Sequence, residues 1–439
     1  MASTASFPVR TSRAVGVRTA LACIRPLQWL MAAPALLFLV TLTAMLFRPP
    51  DLHFYAVDRI AFAALVFIVL LRVLITRQLV DMSRFVTLPL VALLLIALMD
   101  LLSGPSQTED WSVFAAKWVV PIVFFQLSQL VFADRNSIKK LEVYLLVVLA
   151  YLSLTAIFFL FDARGLIFPS YILDENIGIH ADRARGPFLQ AVANGVTILL
   201  LGLVVLDSYR RGRLRGLCGL MVAVILPIAV MTTKTRSVWI SFAGATLFLM
   251  FFSPSLRIRH ACRWLALTGL LCTIGGLALL PREDALASRL ADRSPVEFRL
   301  SLYRAGWEMF KEKPLFGWSS RTVQAELSRR MSDFHQNEFF FHNSYLEVAV
   351  KHGIVGLAFY FWVLWDLLRV GRRRTKLRSR EIHFLDERFR PLWPVFVGVY
   401  LLNACFVVMN YQFVNGLLFT LAGVLAAQNR QWDMRPAIA

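Results

Sequence analysis

The chain has 439 residues, 58% of them hydrophobic, and a mean hydropathy of +0.61. One water-soluble core could not hide that much apolar surface, so the solvent for most of the chain is lipid. The formal charge of +19 and the pI near 10.3 would suggest a nucleic-acid ligand if the basic residues formed one face; they sit instead in alternate loops, which excludes that reading.

The N-terminal arm 1–26 carries Arg10, Arg13, Arg18 and Arg25 like the charged start of a signal peptide. The apolar stretch after Pro26 is too long for a cleaved segment, so it is expected to stay as the first span. Apolar runs of about spanning length follow at 27–47, 54–75, 85–102, 111–132, 141–161 and 189–206, then at 214–231, 237–252, 262–280, 344–368, 392–409 and 413–427. Backbone groups in lipid must bond internally, so these runs are helices and the fold class is an all-α polytopic membrane protein with about 12 transmembrane helices. Nine of them, with short connections, fill 27–280; three more fill 344–428, and 429–439 is a tail. The last two runs are separated only by Asn410, Tyr411 and Gln412, which predicts an antiparallel hairpin.

Basic residues cluster at Arg72, Arg77 and Arg84, at Arg135, Lys139 and Lys140, at Arg210, Arg211, Arg213 and Arg215, at Arg257, Arg259 and Arg263, and through 369–380. By the positive-inside rule these loops are cytoplasmic, and so are both termini. The five cysteines, Cys23, Cys218, Cys262, Cys272 and Cys405, lie in or beside apolar runs and are read as packing residues.

Two loops on the other side are longer than connection requires, a medium one at 162–188 and a long one at 281–343. Ordered long loops usually carry function. In the first, Arg183 and Arg185 precede Asn194 of the next run; a guanidinium fork suits phosphate oxygens, while a solvated loop is the plain alternative. Arg236 in TTKTRSVWISF stands at the outer end of a run, against the usual bias. It is either a snorkelling side chain or an anion clamp, and Lys234 beside it favours the clamp.

In the long loop, Ser294, Pro295 and Glu297 read as an N-cap, first helical position and capping-box partner. The helix they start should run to about Glu312, before Pro314, with Arg299, Leu302, Tyr303, Gly306 and Phe310 on one face and Arg304 pointing elsewhere. The segment HNSYLEVAVKHGIVG then shows a second capping-box pattern, Ser344 to Glu347, which would place His342 and Asn343 just ahead of a membrane helix. The positive end of that helix disfavours imidazolium, so His342 should be neutral and able to accept a proton, or else merely cap the helix. His180, His335 and His352 read as structural, and Glu347 with Lys351 as an internal pair; Asp58, Arg59 and Lys117 are further ionisable groups within runs. No phosphate-binding glycine loop, metalloprotease motif, cysteine-based metal motif or Asp-x-Asp occurs.

The stretches RARGPF with Asn194, TKTRSVWISF, RLSLYRAGWEMFKEKPLFGW and HNSYLEVAVKHGIVG, in that order with a long loop before the histidine, resemble the O-antigen ligase and polymerase superfamily. The resemblance covers 183–356. It implies a bundle similar to GT-C membrane glycosyltransferases, with a long, partly helical periplasmic loop. It also implies a metal-independent, inverting transfer of O-antigen from undecaprenyl diphosphate to a sugar hydroxyl of lipid A-core, at the periplasmic face of a Gram-negative inner membrane. His342, Arg236 and Arg299 fall on the family's functional positions, and either Arg183 or Arg185 on the arginine of the shorter loop. Lys234, Arg304 and Asn343 are expected to help bind the donor, and no cofactor is expected. An O-antigen polymerase, a ligase acting on protein, and a lipid-linked oligosaccharide flippase remain alternatives.

Overall fold

A computed structural model describes residues 33–48, 56–76, 84–104, 107–214, 216–279, 294–331, 334, 339–372, 384–386 and 388–433. The arm 1–26, Cys23, His335, the loop segment 281–293, the side chains of Ser294 and Pro295, and most of the basic run 369–380 lie outside the described residues.

Among the described residues the structure is helical, with no strand. The helices are α1 (Pro34–Leu46), α2 (Val57–Thr76), α3 (Arg84–Leu102), α4 (Thr108–Val131), α5 (Arg135–Leu160), α6 (Ala191–Arg210) and α7 (Leu217–Thr232). They continue with α8 (Arg236–Phe252), α9 (Leu256–Leu279), α10 (Ser294–Glu312), α11 (Ser320–Arg330), α12 (Ser344–Arg372), α13 (Trp393–Ala404) and α14 (Gln412–Asp433). Each of the twelve apolar runs contains a helix among its described residues, and α10 and α11 belong to the long loop.

Five helices, α2, α4, α5, α6 and α12, are long and apolar enough to cross a membrane, fewer than the expected dozen. Others are short: α13 has 12 residues and α1 has 13, about 18 and 20 Å at 1.5 Å per residue, against a hydrocarbon core of about 30 Å. Large apolar side chains face outward along the bundle, among them Leu74, Met99 and Phe252, each more than two-thirds exposed. In water such a surface would aggregate; in lipid it is the expected exterior, and the protein is a multi-pass membrane protein.

Helix α6 is the most enclosed of the five, with α5, α7, α8 and α13 packed around it. At one of its ends, the side chains of two arginines of a basic cluster are buried among carboxylates. Arg210 pairs with Asp207 and with Asp386 at 2.8 Å, and Arg211 pairs with Asp207 at 2.7 Å and also with Glu142. Of the cysteines, Cys262 is buried and Cys272 and Cys405 are half-buried; Cys218 is exposed on α7, which corrects its reading as a packing residue.

Three local features differ from expectation. First, α12 is broken at Gly353 (φ 62°, ψ −163°), a conformation open essentially to glycine alone. A β-carbon there would strike the carbonyl of Leu315, so Gly353→Ala is expected to destabilise by about 2–4 kcal/mol from strain and overpacking together. Thermal unfolding in detergent, read against Gly398→Ala, whose added carbon meets open space, measures it.

Second, Ser344 is not an N-cap and Glu347 is not its capping-box partner. Asn343 caps α12, its Oδ1 accepting from the backbone N–H of Tyr345 and Leu346 at 2.9 and 3.0 Å. The Ser344 hydroxyl turns to another segment, donating to the Val407 carbonyl and accepting from the Met409 N–H. Third, α13 stops at Ala404, so residues 405–411 form a longer connection than the expected three-residue turn. Those Val407 and Met409 bonds are what hold that connection against the start of α12.

Candidate active site

The medium loop is built around Arg185. Its side chain is buried, with only 1% of the residue exposed, and donates to the carbonyls of Ile172 at 3.0 Å, Ile177 at 2.6 Å and Asp174. Burial lowers the guanidinium pKa, partly opposed by Asp174 and Glu175. Arg185 therefore holds its own loop in shape, which corrects its place among the substrate ligands.

The same fold presents Arg183. The Asn194 amide donates to the Ala184 carbonyl at 2.8 Å, and Gly186 (φ +56°) allows that approach, since a β-carbon would come within 2.7 Å of Asn194 Oδ1. The Ala184 N–H in turn donates to the Thr232 carbonyl at the end of α7. Arg183, half-buried beside Asp182, is thus carried to the turn that holds Lys234.

That turn joins α7 to α8. Thr233 and Thr235 bond within it, and the Trp239 indole N–H donates back to the Val230 carbonyl. Lys234 adopts φ 46°, and Arg236 is the first residue of α8. Both are half-buried. Placing a cation at the positive end of a helix is unfavourable to the free protein, and the same arrangement attracts an anion.

On α10, the expected face is the observed one. Leu302 and Gly306 are buried, Tyr303, Phe310 and Arg299 are half-buried, and Arg304 is exposed. The structure therefore does not bring Arg304 to the other candidates. The Tyr303 hydroxyl donates to the carbonyls of His342 at 3.3 Å and Cys405 at 3.1 Å, tying α10 to the cap of α12 and the end of α13. Phe298 packs edge-on against the His342 ring, with centroids 6.4 Å apart.

His342 is half-buried at φ 48°. Burial lowers its pKa below the usual 6.5, and the nearby charges of Arg299 and His180 lower it further. The helix end invoked from the sequence is present, and desolvation is the first cause of the lowered pKa. His180, Lys234 and His342 are three of the six non-glycine residues at positive φ among the described residues, and strained backbone gathers at functional sites. If His342 acts as a base, activity falls as pH drops through its depressed pKa, so the acid limb of the rate profile is expected below 6.5. Arg299→Gln removes a nearby positive charge and should move that limb upward.

The two groups of candidates are linked through backbone. The Arg183 N–H bonds the His180 carbonyl, so one turn carries both the histidine near His342 and the arginine near Lys234. The Asn403 amide donates to Ser241 on α8 at 2.8 Å, two residues before the Cys405 carbonyl that Tyr303 holds. Ser241 lies five residues after Arg236, about 7.5 Å along a helix. Arg183, Lys234 and Arg236 thus lie at or beside the α7–α8 turn and Arg299 near His342, and the His180 turn and the Asn403–Ser241 bond are the links between the two groups. Among the described residues no cluster of three His, Cys, Asp or Glu side chains is placed to hold a metal ion.

Asn343, expected among the donor ligands, is occupied by capping α12, so its contribution is to fix His342. Sequence reasoning gave no role to Tyr303 and set His180 aside as structural. Tyr303 lies one helical turn after Arg299, a usable signal; nothing in the loop composition marked His180.

A helical, multi-pass membrane protein with half-buried arginines and a half-buried histidine whose pKa is lowered is the class that fold and site define. Residues 220–361 match the family model described as O-antigen ligase, consistent with the O-antigen ligase superfamily. The matched stretch is about a third of the chain and includes Lys234, Arg236, Arg299, Arg304, His342 and Asn343, while Arg183 and Arg185 precede it. A search of curated proteins gave no match.

Proposed function

We propose that this protein is a glycosyltransferase that moves an O-antigen glycan from undecaprenyl diphosphate to a sugar hydroxyl of lipid A-core, at the periplasmic face of the inner membrane. The observation that carries the proposal is a half-buried His342 whose pKa is lowered by burial and by the Arg299 charge, in the stretch that matches the O-antigen ligase family.

The chemistry follows from the residues. The acceptor hydroxyl oxygen attacks the anomeric carbon as its proton passes to His342. The bond from that carbon to the diphosphate oxygen breaks on the opposite face, which inverts the configuration. Negative charge builds on the departing diphosphate, and Arg236 and Arg299 stabilise it, assisted by Arg183 and Lys234. A pre-placed guanidinium does this without the reorganisation that water would need.

An apolar groove of about 570 Å³ runs from Tyr345, three residues beyond His342, along Phe361, Leu364, Trp365 and Leu368 with Leu401. Its chemistry suits a hydrocarbon chain whose head group would lie beside His342. The test is to supply the purified protein with the lipid-linked glycan and either lipid A-core or a second lipid-linked glycan. Joining to lipid A-core supports the ligase; joining of two donor glycans instead makes the protein a polymerase of the same superfamily.

A further inference from the structure

The break at Gly353 divides α12 into a short segment, 344–352, that follows His342, and a long one. The turn 314–318 enters the break: Trp318 N–H donates to the Val350 carbonyl at 2.7 Å, and Ile354 N–H donates to the Pro314 carbonyl at 2.7 Å. The short segment is about 13 Å long and is not stiffened by a continuous helix behind it. Its depth and rotation, and so the position of His342, depend on lateral contacts.

One of these is ionic. Glu347 is buried and accepts from Lys117 Nζ at 2.6 Å and from Lys351 Nζ at 3.0 Å. Lys351 belongs to the same segment, so only Lys117 ties Glu347 to a different helix. Lys117 sits in a π-helical turn, Ala115–Val119, within α4. Such single wide turns recur at functional sites, where they re-aim a side chain. Ion pairs buried in apolar surroundings add little net stability compared with apolar packing, but their geometry is selective. Ionisable groups within membrane helices are accordingly found where position or transport matters.

We propose that Lys117 is a positioning residue: through Glu347 it sets the placement of segment 344–352 and thereby the placement of His342. The consequence for catalysis rests on the reading of His342 as the base; the placement itself does not.

The test uses the full-length protein in lipid nanodiscs, with Lys117→Gln, Lys117→Arg and the charge exchange Lys117→Glu with Glu347→Lys. His342, one of seven histidines, is followed by NMR titration of histidine-labelled protein, its signal assigned with His342→Gln. In Lys117→Gln the His342 midpoint should rise toward 6.5 as its burial and the influence of the Arg299 charge relax. In the same variant kcat should fall about ten- to a hundred-fold, since misplacement by about 1 Å costs that order, with KM for both substrates within about two-fold. Lys117→Arg should retain both properties, and the exchange should recover part of kcat. An unchanged midpoint in folded Lys117→Gln overturns the proposal, whether or not activity falls. If Lys117→Gln does not accumulate, Glu347→Gln is read the same way. Should His342→Ala prove fully active, the base reading fails, and the titration still decides the placement.

Discussion

Replacing His342 by alanine is expected to lower kcat by about a hundred-fold to ten-thousand-fold, the range for loss of a general base. The cations and the groove remain, so donor binding should change little. The backbone at His342 has φ 48°, where alanine is strained and asparagine is tolerated. His342→Asn is therefore the control for strain: it cannot take the proton, and it should be as inactive as alanine while staying in the membrane at wild-type amount. Initial rates with purified protein at saturating substrates measure the effect. Wild-type rates from either variant would remove His342 from the chemistry.

Arg236→Ala is expected to cost about a hundred-fold to a thousand-fold in kcat, the usual loss for one group facing a developing oxyanion. Arg236→Lys should recover only part, because lysine keeps the charge but not the planar fork. Arg236 occupies the first position of α8, where the helix end itself disfavours a cation by about 0.3–1 kcal/mol. Activity should therefore fall with little loss of thermal stability, which separates a ligand role from a folding role. Arg299→Ala should resemble Arg236→Ala, and exposed Arg304→Ala should resemble wild type. Equal losses at Arg299 and Arg304 would undercut the assignment by helix face.

Much of the bundle was legible because apolar runs in lipid have one backbone solution. Each run became a helix, and the spacing of Arg299, Leu302 and Tyr303 gave the buried face of α10 correctly. Glu347 and Lys351, four residues apart, formed the expected pair. What stayed hidden depends on groups distant in sequence. Lys117 meets Glu347 across 230 residues, and no local period records that meeting. Gly353 reads as an ordinary helix residue until the turn 314–318 occupies the space its side chain would need. Arg183 and Arg185 look equivalent in RARGPF; only the fold turns the Arg185 guanidinium into its own loop, while the backbone next to Arg183 bonds the end of α7. The capping box at Ser344 failed for a similar reason, since Asn343 was the better local cap and the Ser344 hydroxyl had a partner in the connection 405–411.

The most direct measurement is a transfer assay with the purified protein, defined undecaprenyl-diphosphate-linked glycan and lipid A-core, run in excess chelator. The proposed function predicts a joined product carrying the inverted anomeric linkage, with undecaprenyl diphosphate released in equal amount. It also predicts loss of that product with His342→Asn. No joined product from the wild-type protein, or transfer that persists undiminished in His342→Asn, would contradict it.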